Sequence, residues 1–151
     1  MKERVGDLLL LALDGEFDVI VHGCNCFHTM GGGIARVIAQ HFPEALEADK
    51  ATPAGDREKL GSISFAQVER ATGKFTIVNA YTQFDFRGPQ PRVSYEAVSQ
   101  AFDTIAQQFN GARIGYPMIG AGLAGGDWAI ISERINTALE GCDHTLVKLP
   151  E

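Results

Sequence analysis

The feature that constrains this chain most is an apolar segment that runs directly into a cluster of small residues. Residues 17–23 form a near-continuous apolar run, as in the buried strands of parallel sheets. A polar turn containing Asn25 follows, and Gly31, Gly32 and Gly33 then open a segment with apolar residues at helical spacing. A strand that turns through glycines into a helix presents unpaired backbone N–H groups to an anion. We therefore expect an α/β fold with an anion-binding turn, the first glycine loop (residues 25–33).

Hydrophobic periodicity divides the rest of the chain into alternating strands and helices. It predicts strands over 2–5, 17–23, 62–69, 75–81, 113–118 and 145–149, and helices over 32–42, 44–51, 94–109 and 127–139. The type of the apolar segment 8–13 stays open. One hairpin within otherwise alternating elements predicts a mixed, mostly parallel sheet of about six strands with helices on both faces. We expect residues 1–151 to form a single domain.

Charge and cysteine content restrict the classes of partner. The net charge of −6 argues against general nucleic-acid binding, which needs a basic face. The longest apolar run, residues 8–13, is too short to span a bilayer, and no cleavage site of a signal peptide follows Met1. Three cysteines are too few for a disulfide framework. We expect a cytoplasmic protein with reduced thiols and no membrane partner.

A second glycine loop (residues 120–126) follows the predicted strand 113–118. It fits the dinucleotide fingerprint, but no following strand carries the acidic residue that would bind a ribose. Neither loop is followed by the Lys-Ser or Lys-Thr pair of a phosphate-binding P-loop. Ligands bind at the carboxyl ends of strands in open α/β sheets, so two such loops on one crevice suit a diphosphate. The alternative is that the glycines only form tight turns.

The order and spacing of these motifs resemble the macrodomain family, and the resemblance covers nearly the whole chain. It rests on four segments, which are Gly6-Asp7-Leu8, residues 18–25, residues 31–35 and residues 117–123. It implies a three-layer α/β/α fold and a cleft for ADP-ribose. The His22-Gly23-Cys24-Asn25-Cys26 core and the second glycine loop look most similar to the branch that contains ADP-ribose-1″-phosphate phosphatases.

The resemblance also implies roles for individual residues. Asp7 would accept a hydrogen bond from the adenine amino group, beside the backbone N–H of Leu8. Asn25 would bind the distal ribose. The distal ribose and diphosphate would be enclosed by two sets of residues, Gly31, Gly32, Gly33 and Ile34 on one side and Gly120, Ala121, Gly122, Leu123 and Ala124 on the other. His28 and Met30 either cover the distal ribose or lie exposed.

Three readings of the function follow, and in one of them the chain has this fold without binding a ligand. In the first, the protein hydrolyses ADP-ribose-1″-phosphate or an ADP-ribosyl linkage, with His22 and Asn25 as catalytic residues, because an imidazole can relay a proton or attack phosphorus at neutral pH. In the second, it binds free or macromolecule-linked ADP-ribose without turnover. Relatives that cleave ADP-ribosyl bonds carry a lysine near residues 79–83 or an aspartate after the second Gly-Leu, and this chain has neither, with Ala124 at the latter position.

The same residues also suggest other chemistries. His22, Cys24, Cys26 and His28 are potential zinc ligands, but alternate residues of an extended segment lie about 6.6 Å apart and do not surround one ion. We expect no metal and no cofactor. Cys24 or Cys26 is either a nucleophile with a histidine base or a small buried residue. No aromatic residue follows Trp128, so a ring that stacks on adenine would come from Tyr81, Phe84 or Phe86.

Overall fold

The computed structural model describes residues 1–151, which form six strands, five α-helices and a short 3₁₀ helix over Arg57–Lys59. The strands are β1 (Lys2–Val5), β2 (Val19–Cys24), β3 (Ile63–Arg70), β4 (Gly73–Tyr81), β5 (Arg113–Tyr116) and β6 (Asp143–Lys148). The helices are α1 (Leu8–Leu13), α2 (Gly33–His41), α3 (Pro43–Lys50), α4 (Tyr95–Gln108) and α5 (Trp128–Ala138).

All six strands belong to one sheet with the order β1-β6-β5-β2-β4-β3. Every neighbouring pair is parallel except β3 and β4, which form the antiparallel hairpin. The prediction of a mixed, mostly parallel sheet is therefore confirmed. Strand β2 lies at the centre, paired with β4 on one side and β5 on the other. Because parallel strands end at the same edge, the loops that follow β2 and β5 are neighbours.

Helices cover both faces of the sheet, which gives the predicted three-layer α/β/α arrangement. Alternate residues of β2 separate the two layers, because successive side chains of a strand point to opposite faces. Val19 and Val21 pack in the apolar core that includes residues of α4 and α5. Ile20 packs in the second core, with residues of α1, α2 and α3. None of the helices has the length and apolarity that a membrane span requires.

The structure differs from the sequence predictions mainly at the ends of elements. Residues 8–13, whose type was open, form α1, because the Asp7 carboxylate caps the helix by accepting hydrogen bonds from the N–H groups of Leu9 and Leu10. Strand β2 begins two residues later than predicted and β6 two residues earlier. The 3₁₀ helix over Arg57–Lys59 was not predicted. Ser94 and Asp127 are the N-caps of α4 and α5.

Candidate functional site

A cavity of about 600 Å³ lies at the carboxyl ends of β2 and β5. Three segments enclose this cavity. They are the first glycine loop, residues 117–124, which lead into the second glycine loop, and the connection between β4 and α4. The lining residues are mostly small or neutral, and they are Gly23, Cys24, Asn25, Thr29, Gly31, Gly32, Gly33, Ile34, Ala35, Thr82, Gln83, Phe86, Arg92, Pro117, Met118, Ile119, Gly120, Gly122, Leu123 and Ala124.

The first glycine loop leads into an uncapped helix N-terminus. Gly32 occupies the N-cap position of α2 and has no side chain that could accept a hydrogen bond from the first turn. The N–H groups of Gly31, Gly32 and Gly33 make no hydrogen bond within the protein. Gly33 has a φ of 56°, a left-handed conformation that favours glycine. The loop therefore presents unpaired donors, reinforced by the positive end of the helix dipole, to the cavity.

Asn25 holds the first part of this loop in place. Its Nδ2 donates to the Thr29 carbonyl at 2.8 Å, and its Oδ1 accepts from the Phe27 N–H at 2.9 Å. Each amide atom keeps capacity for one further hydrogen bond. Asn25 also lines the cavity, so its side chain can serve the loop and a ligand together.

The second glycine loop presents a matching set of donors. The N–H groups of Gly120, Gly122, Leu123 and Ala124 have no acceptor within the protein. Gly120 has a φ of 76°, and a Cβ built there would lie 2.7 Å from Val93 Cγ2, so only glycine fits. Unlike α2, the following helix α5 is capped, because the Asp127 carboxylate accepts from the Ala129 N–H. The donors of this loop thus come from the loop itself.

Leu123 connects the two loops across the cavity. Its side chain is 66% exposed, yet a Cβ on Gly32 would lie only 2.8 Å from Leu123 Cδ1. Glycine at position 32 therefore leaves room for an apolar contact between segments that are about ninety residues apart in the sequence.

The connection between β4 and α4 supplies Gln83, Phe86 and Arg92 to the cavity wall, and sequence reasoning missed Gln83 and Arg92. Gln83 Nε2 donates to the Asp85 carbonyl at 2.9 Å. Arg92 donates to the carbonyls of Gly88 and Leu123, so it joins this segment to the second glycine loop. Nothing in the local sequence indicates that contact, because it depends on how two distant loops pack.

Phe86 is the only one of the three candidate stacking aromatics that lines the cavity. Its side chain is 41% exposed. Tyr81 is buried, and its hydroxyl donates to Asp49 Oδ1 at 2.7 Å. Phe84 packs edge-to-face against Phe27 with ring centroids 5.0 Å apart.

His22 does not reach the cavity, which contradicts the prediction that it acts directly on a ligand. Its side chain is 0% exposed, on the face of β2 that also carries Ile20. Asn79 Nδ2 donates to the Ala45 carbonyl at 3.0 Å, so Asn79 Oδ1 faces His22 Nε2 at 2.6 Å and accepts a hydrogen bond from it. Burial lowers the pKa of His22 to about 4, so the ring is neutral at physiological pH.

His22 belongs to a buried polar network (His22, Asp49, Lys59, Asn79 and Tyr81) beneath α3. Lys59 Nζ lies 3.6 Å from Asp49 Oδ1, and both side chains are almost completely buried. Tyr81 and Asn79 meet at Ser64, whose Oγ lies 2.7 Å from the Tyr81 hydroxyl and accepts from Asn79 Nδ2. Hydrogen bonds therefore link His22, Asn79, Ser64, Tyr81 and Asp49, whereas Asp49 Oδ2 and Lys59 Nζ are buried without a hydrogen-bond partner. Lys59 balances the Asp49 charge as an ion pair only.

The two cysteines of the first motif are buried and poorly suited to nucleophilic attack. Cys24 Sγ lies 3.6 Å from His22 Nε2, but burial raises the pKa of the Cys24 thiol. Burial also raises the pKa of Cys26, whose Sγ donates to the Gln83 carbonyl. A reactive thiol needs the opposite shift. No group of three or more His, Cys, Asp or Glu side chains is placed to hold a metal ion.

Four further predicted ligand contacts lie outside the cavity lining. Met30 is buried in the core with α1 and α2, and Ala121 packs against the other core while its N–H donates to the Met118 carbonyl. The side chains of these two residues therefore do not face a ligand. Asp7 and Leu8 stand at the N-terminus of α1, where one carboxylate oxygen of Asp7 caps the helix. Their contact with adenine stays a prediction.

Sequence comparison matches residues 21–135 to the model of the Macro domain family. An uncharacterized 17.5 kDa protein from the tk-vs intergenic region of Enterobacteria phage T4 is 39% identical over 142 residues, which cover 91% of this chain and 88% of that protein. A DNA ADP-ribosyl glycohydrolase of Mycobacterium tuberculosis is 26% identical over 136 residues. That match covers 89% of this chain but only 37% of the length of the mycobacterial relative.

Structural comparison gives the same fold. The macrodomain of Mycobacterium tuberculosis DarG aligns with a TM-score of 0.75 at 22% identity, covering 99% of this chain and 98% of that one. Thermosipho africanus DarTG, solved in complex with ADP-ribose, aligns with a TM-score of 0.72 at 17% identity. This second alignment covers 96% of this chain and 40% of the other.

Proposed function

Since this chain belongs to the Macro domain family, we propose that its cleft binds ADP-ribose and that the protein hydrolyses an ADP-ribosyl bond. The observation that carries the proposal is the pair of facing glycine loops, whose backbone N–H groups lack acceptors within the protein. Such groups suit the oxygens of a diphosphate. Asn25, which lines the cavity beside them, supplies an amide for the hydroxyl groups of the distal ribose.

The hydrolytic step that we propose releases ADP-ribose from an acceptor. The bond between C1″ of the distal ribose and the acceptor breaks, and its electron pair leaves with the acceptor. A water oxygen bonds to C1″, and the water proton passes to the departing group. The name and sequence of the mycobacterial relatives support this reaction class. In this proposal Asn25 positions the ribose, so that binding energy from the nucleotide aligns the reacting bond.

ADP-ribose-1″-phosphate is the second candidate substrate. One observation favours it, which is that the cavity lining contains no carboxylate that would repel a terminal phosphate and includes the cation of Arg92. We rank it after the ADP-ribosyl bond, because the mycobacterial relative is named for the cleavage of an ADP-ribosyl bond.

Binding is tested first, by calorimetry and thermal unfolding with ADP-ribose. At a ligand concentration of about 100 times Kd, the free energy of unfolding should rise by about 2.7 kcal/mol. Gly122→Glu places a carboxylate at the cavity, where a Cβ meets no atom within 4 Å, and we expect it to abolish binding. Gly122→Gln has nearly the same shape without the charge and is the matched control. Equal affinities of the two variants would place the diphosphate elsewhere.

Turnover is tested next, with ADP-ribosylated DNA, ADP-ribosylated protein and ADP-ribose-1″-phosphate. We expect free ADP-ribose as the product of at least one ADP-ribosylated macromolecule. Phosphate release from ADP-ribose-1″-phosphate alone selects the second candidate. Tight binding of ADP-ribose with no product from any of the three identifies a binding module and contradicts the hydrolase proposal.

A further inference from the structure

Arg92 is the one charged residue among those that line the cleft. Its Nη1 donates to the Gly88 carbonyl at 3.1 Å, and its Nη2 donates to the Leu123 carbonyl. Both acceptors are neutral. Arg92 takes part in none of the ion pairs of the protein. Its positive charge is therefore not balanced by a carboxylate.

The Nε atom of Arg92 is an orphaned donor. It is buried and has no hydrogen-bond partner, whereas nearly all buried polar atoms in proteins have one. A partly desolvated guanidinium without a counter-charge is unfavourable, and an anion within hydrogen-bond distance compensates for it. The combination of an unbalanced charge and a place in the cavity wall points to an anionic ligand group.

The surroundings of Arg92 also connect it to the second glycine loop. The Arg92 N–H donates to the Ala124 carbonyl at 2.7 Å, and Gln90 Nε2 donates to the Leu123 carbonyl at 2.8 Å. These bonds and those of the guanidinium occupy the carbonyl groups of Leu123 and Ala124. The N–H groups of the same two residues stay unpaired. A charge placed there acts on the same ligand atoms as the loop donors.

We propose that Arg92 binds a phosphate group of the ligand and makes the cleft selective for phosphorylated ligands. This inference rests on the proposed function, because it assigns a counter-charge to the diphosphate that the glycine loops hold. Arginine suits the position because its planar fork can donate to the Leu123 carbonyl and to a phosphate oxygen together. Lysine would supply the charge as a single point, without the fixed fork.

The test compares ADP-ribose affinity in the wild type and in Arg92→Gln, Arg92→Lys and Arg87→Gln. Arg87 lies in the same segment but outside the cavity, where it pairs with Asp85, so Arg87→Gln is the matched control. We expect Arg92→Gln to bind about ten- to a hundredfold more weakly, since hydrogen bonds to charged groups are of that strength. Arg92→Lys should lie between, and Arg87→Gln within about twofold of the wild type.

Salt dependence separates a charge on the ligand from a purely structural role. Between about 0.05 and 0.5 M NaCl, wild-type affinity should fall, and it should fall less in Arg92→Gln, because screening acts on the ion pair. Weaker binding with an unchanged salt dependence would mean that Arg92 only holds the loop, and would overturn the inference. Wild-type affinity that is independent of salt overturns it without any variant. Failure of the wild type to bind ADP-ribose contradicts the proposed function instead.

Discussion

Two regions beside strand β2 differ in where they place their chemistry. On the side beneath α3, the buried polar network gathers an imidazole, an ion pair and a phenol that no ligand can reach. At the carboxyl end of the strand, by contrast, the cleft is open but is lined by neutral groups and a single arginine. The residues that look reactive in the sequence therefore stabilise the fold, and the backbone presents the binding groups. Variants in the buried polar network should therefore change the free energy of unfolding, and variants in the cleft should change the affinity for the ligand.

The largest effect is expected at Lys59. Lys59→Met leaves the buried Asp49 carboxylate without its counter-charge, and breaking such pairs lowers the free energy of unfolding by about 3–5 kcal/mol. Denaturant unfolding measures this change. Lys74→Met, which breaks the exposed pair with Glu69, is the control and should change stability by less than about 1 kcal/mol. If folded Lys59→Met binds ADP-ribose more weakly than the wild type, the claim that the buried network affects only stability is wrong.

The pH dependence of stability should come next in size. Burial holds the pKa of His22 at about 4 in the folded protein, below its ordinary value of 6.5. Between pH 6.5 and about 4, His22 is protonated in the unfolded chain but neutral in the folded protein. The free energy of unfolding therefore decreases as the pH falls through this range. The stability is fully present above pH 6.5, and the part lost by pH 4 is about 3 kcal/mol. Urea unfolding at successive pH values measures it.

His22→Gln isolates this contribution, because glutamine can donate to Asn79 Oδ1 but does not titrate. The loss of stability between pH 6.5 and 4 should be smaller than in the wild type. ADP-ribose affinity and any turnover at neutral pH should be unchanged, with His41→Gln on the surface as the matched control. Loss of turnover with intact binding would show that His22 takes part in the reaction, although it does not line the cavity.

An intermediate effect is expected in the cleft at Asn25. Asn25→Ala removes both hydrogen bonds that order the first glycine loop and the amide proposed to bind the ribose. Affinity for ADP-ribose should fall about tenfold, equivalent to about 1.4 kcal/mol. Calorimetry measures this, and Asn136→Ala, an exposed position in α5, is the control. An unchanged affinity would remove Asn25 from the site.

The smallest effect is expected at Phe86. Phe86→Ala removes an aromatic ring from the cavity wall, and since the ring is 41% exposed we expect a loss of about 0.5–1 kcal/mol in binding. Phe65, which is 39% exposed and lies outside the cavity, provides the control in Phe65→Ala. Equal affinities in both variants would show that the ring does not touch the ligand.

The sequence predicted the parts of the molecule that depend on local pattern. The alternation of apolar strands and helices gave the three layers, and the clusters of glycine gave both walls of the cleft, including Asn25. The pattern did not reveal that Asp7 caps α1, because the same carboxylate could equally well face a ligand. The pattern placed His22 in the cleft because His22 stands near the end of a buried strand, close to the first glycine loop. Strand alternation puts the ring on the face of Ile20, where Asn79, 57 residues away, forms a hydrogen bond with it.

The parts that were missed depend on contacts between distant segments. Lys59 and Asp49 carry no local sign of burial, since charged residues are usually exposed. Arg92 reaches the second glycine loop across 31 residues, and nothing in the composition of its own segment indicates that loop. Packing between loops, rather than periodicity within them, determined these positions.

The unpaired N–H groups of the two glycine loops have a consequence for how this chain can vary. A main-chain amide is carried by every residue except proline, so recognition of this kind does not depend on the identity of most side chains. What must be inherited is a set of dihedral angles, such as a φ of 56° at Gly33 and 76° at Gly120. The N–H donor of Leu123 would remain after a substitution of its exposed side chain, whereas a single methyl group at Gly120 would reshape the loop.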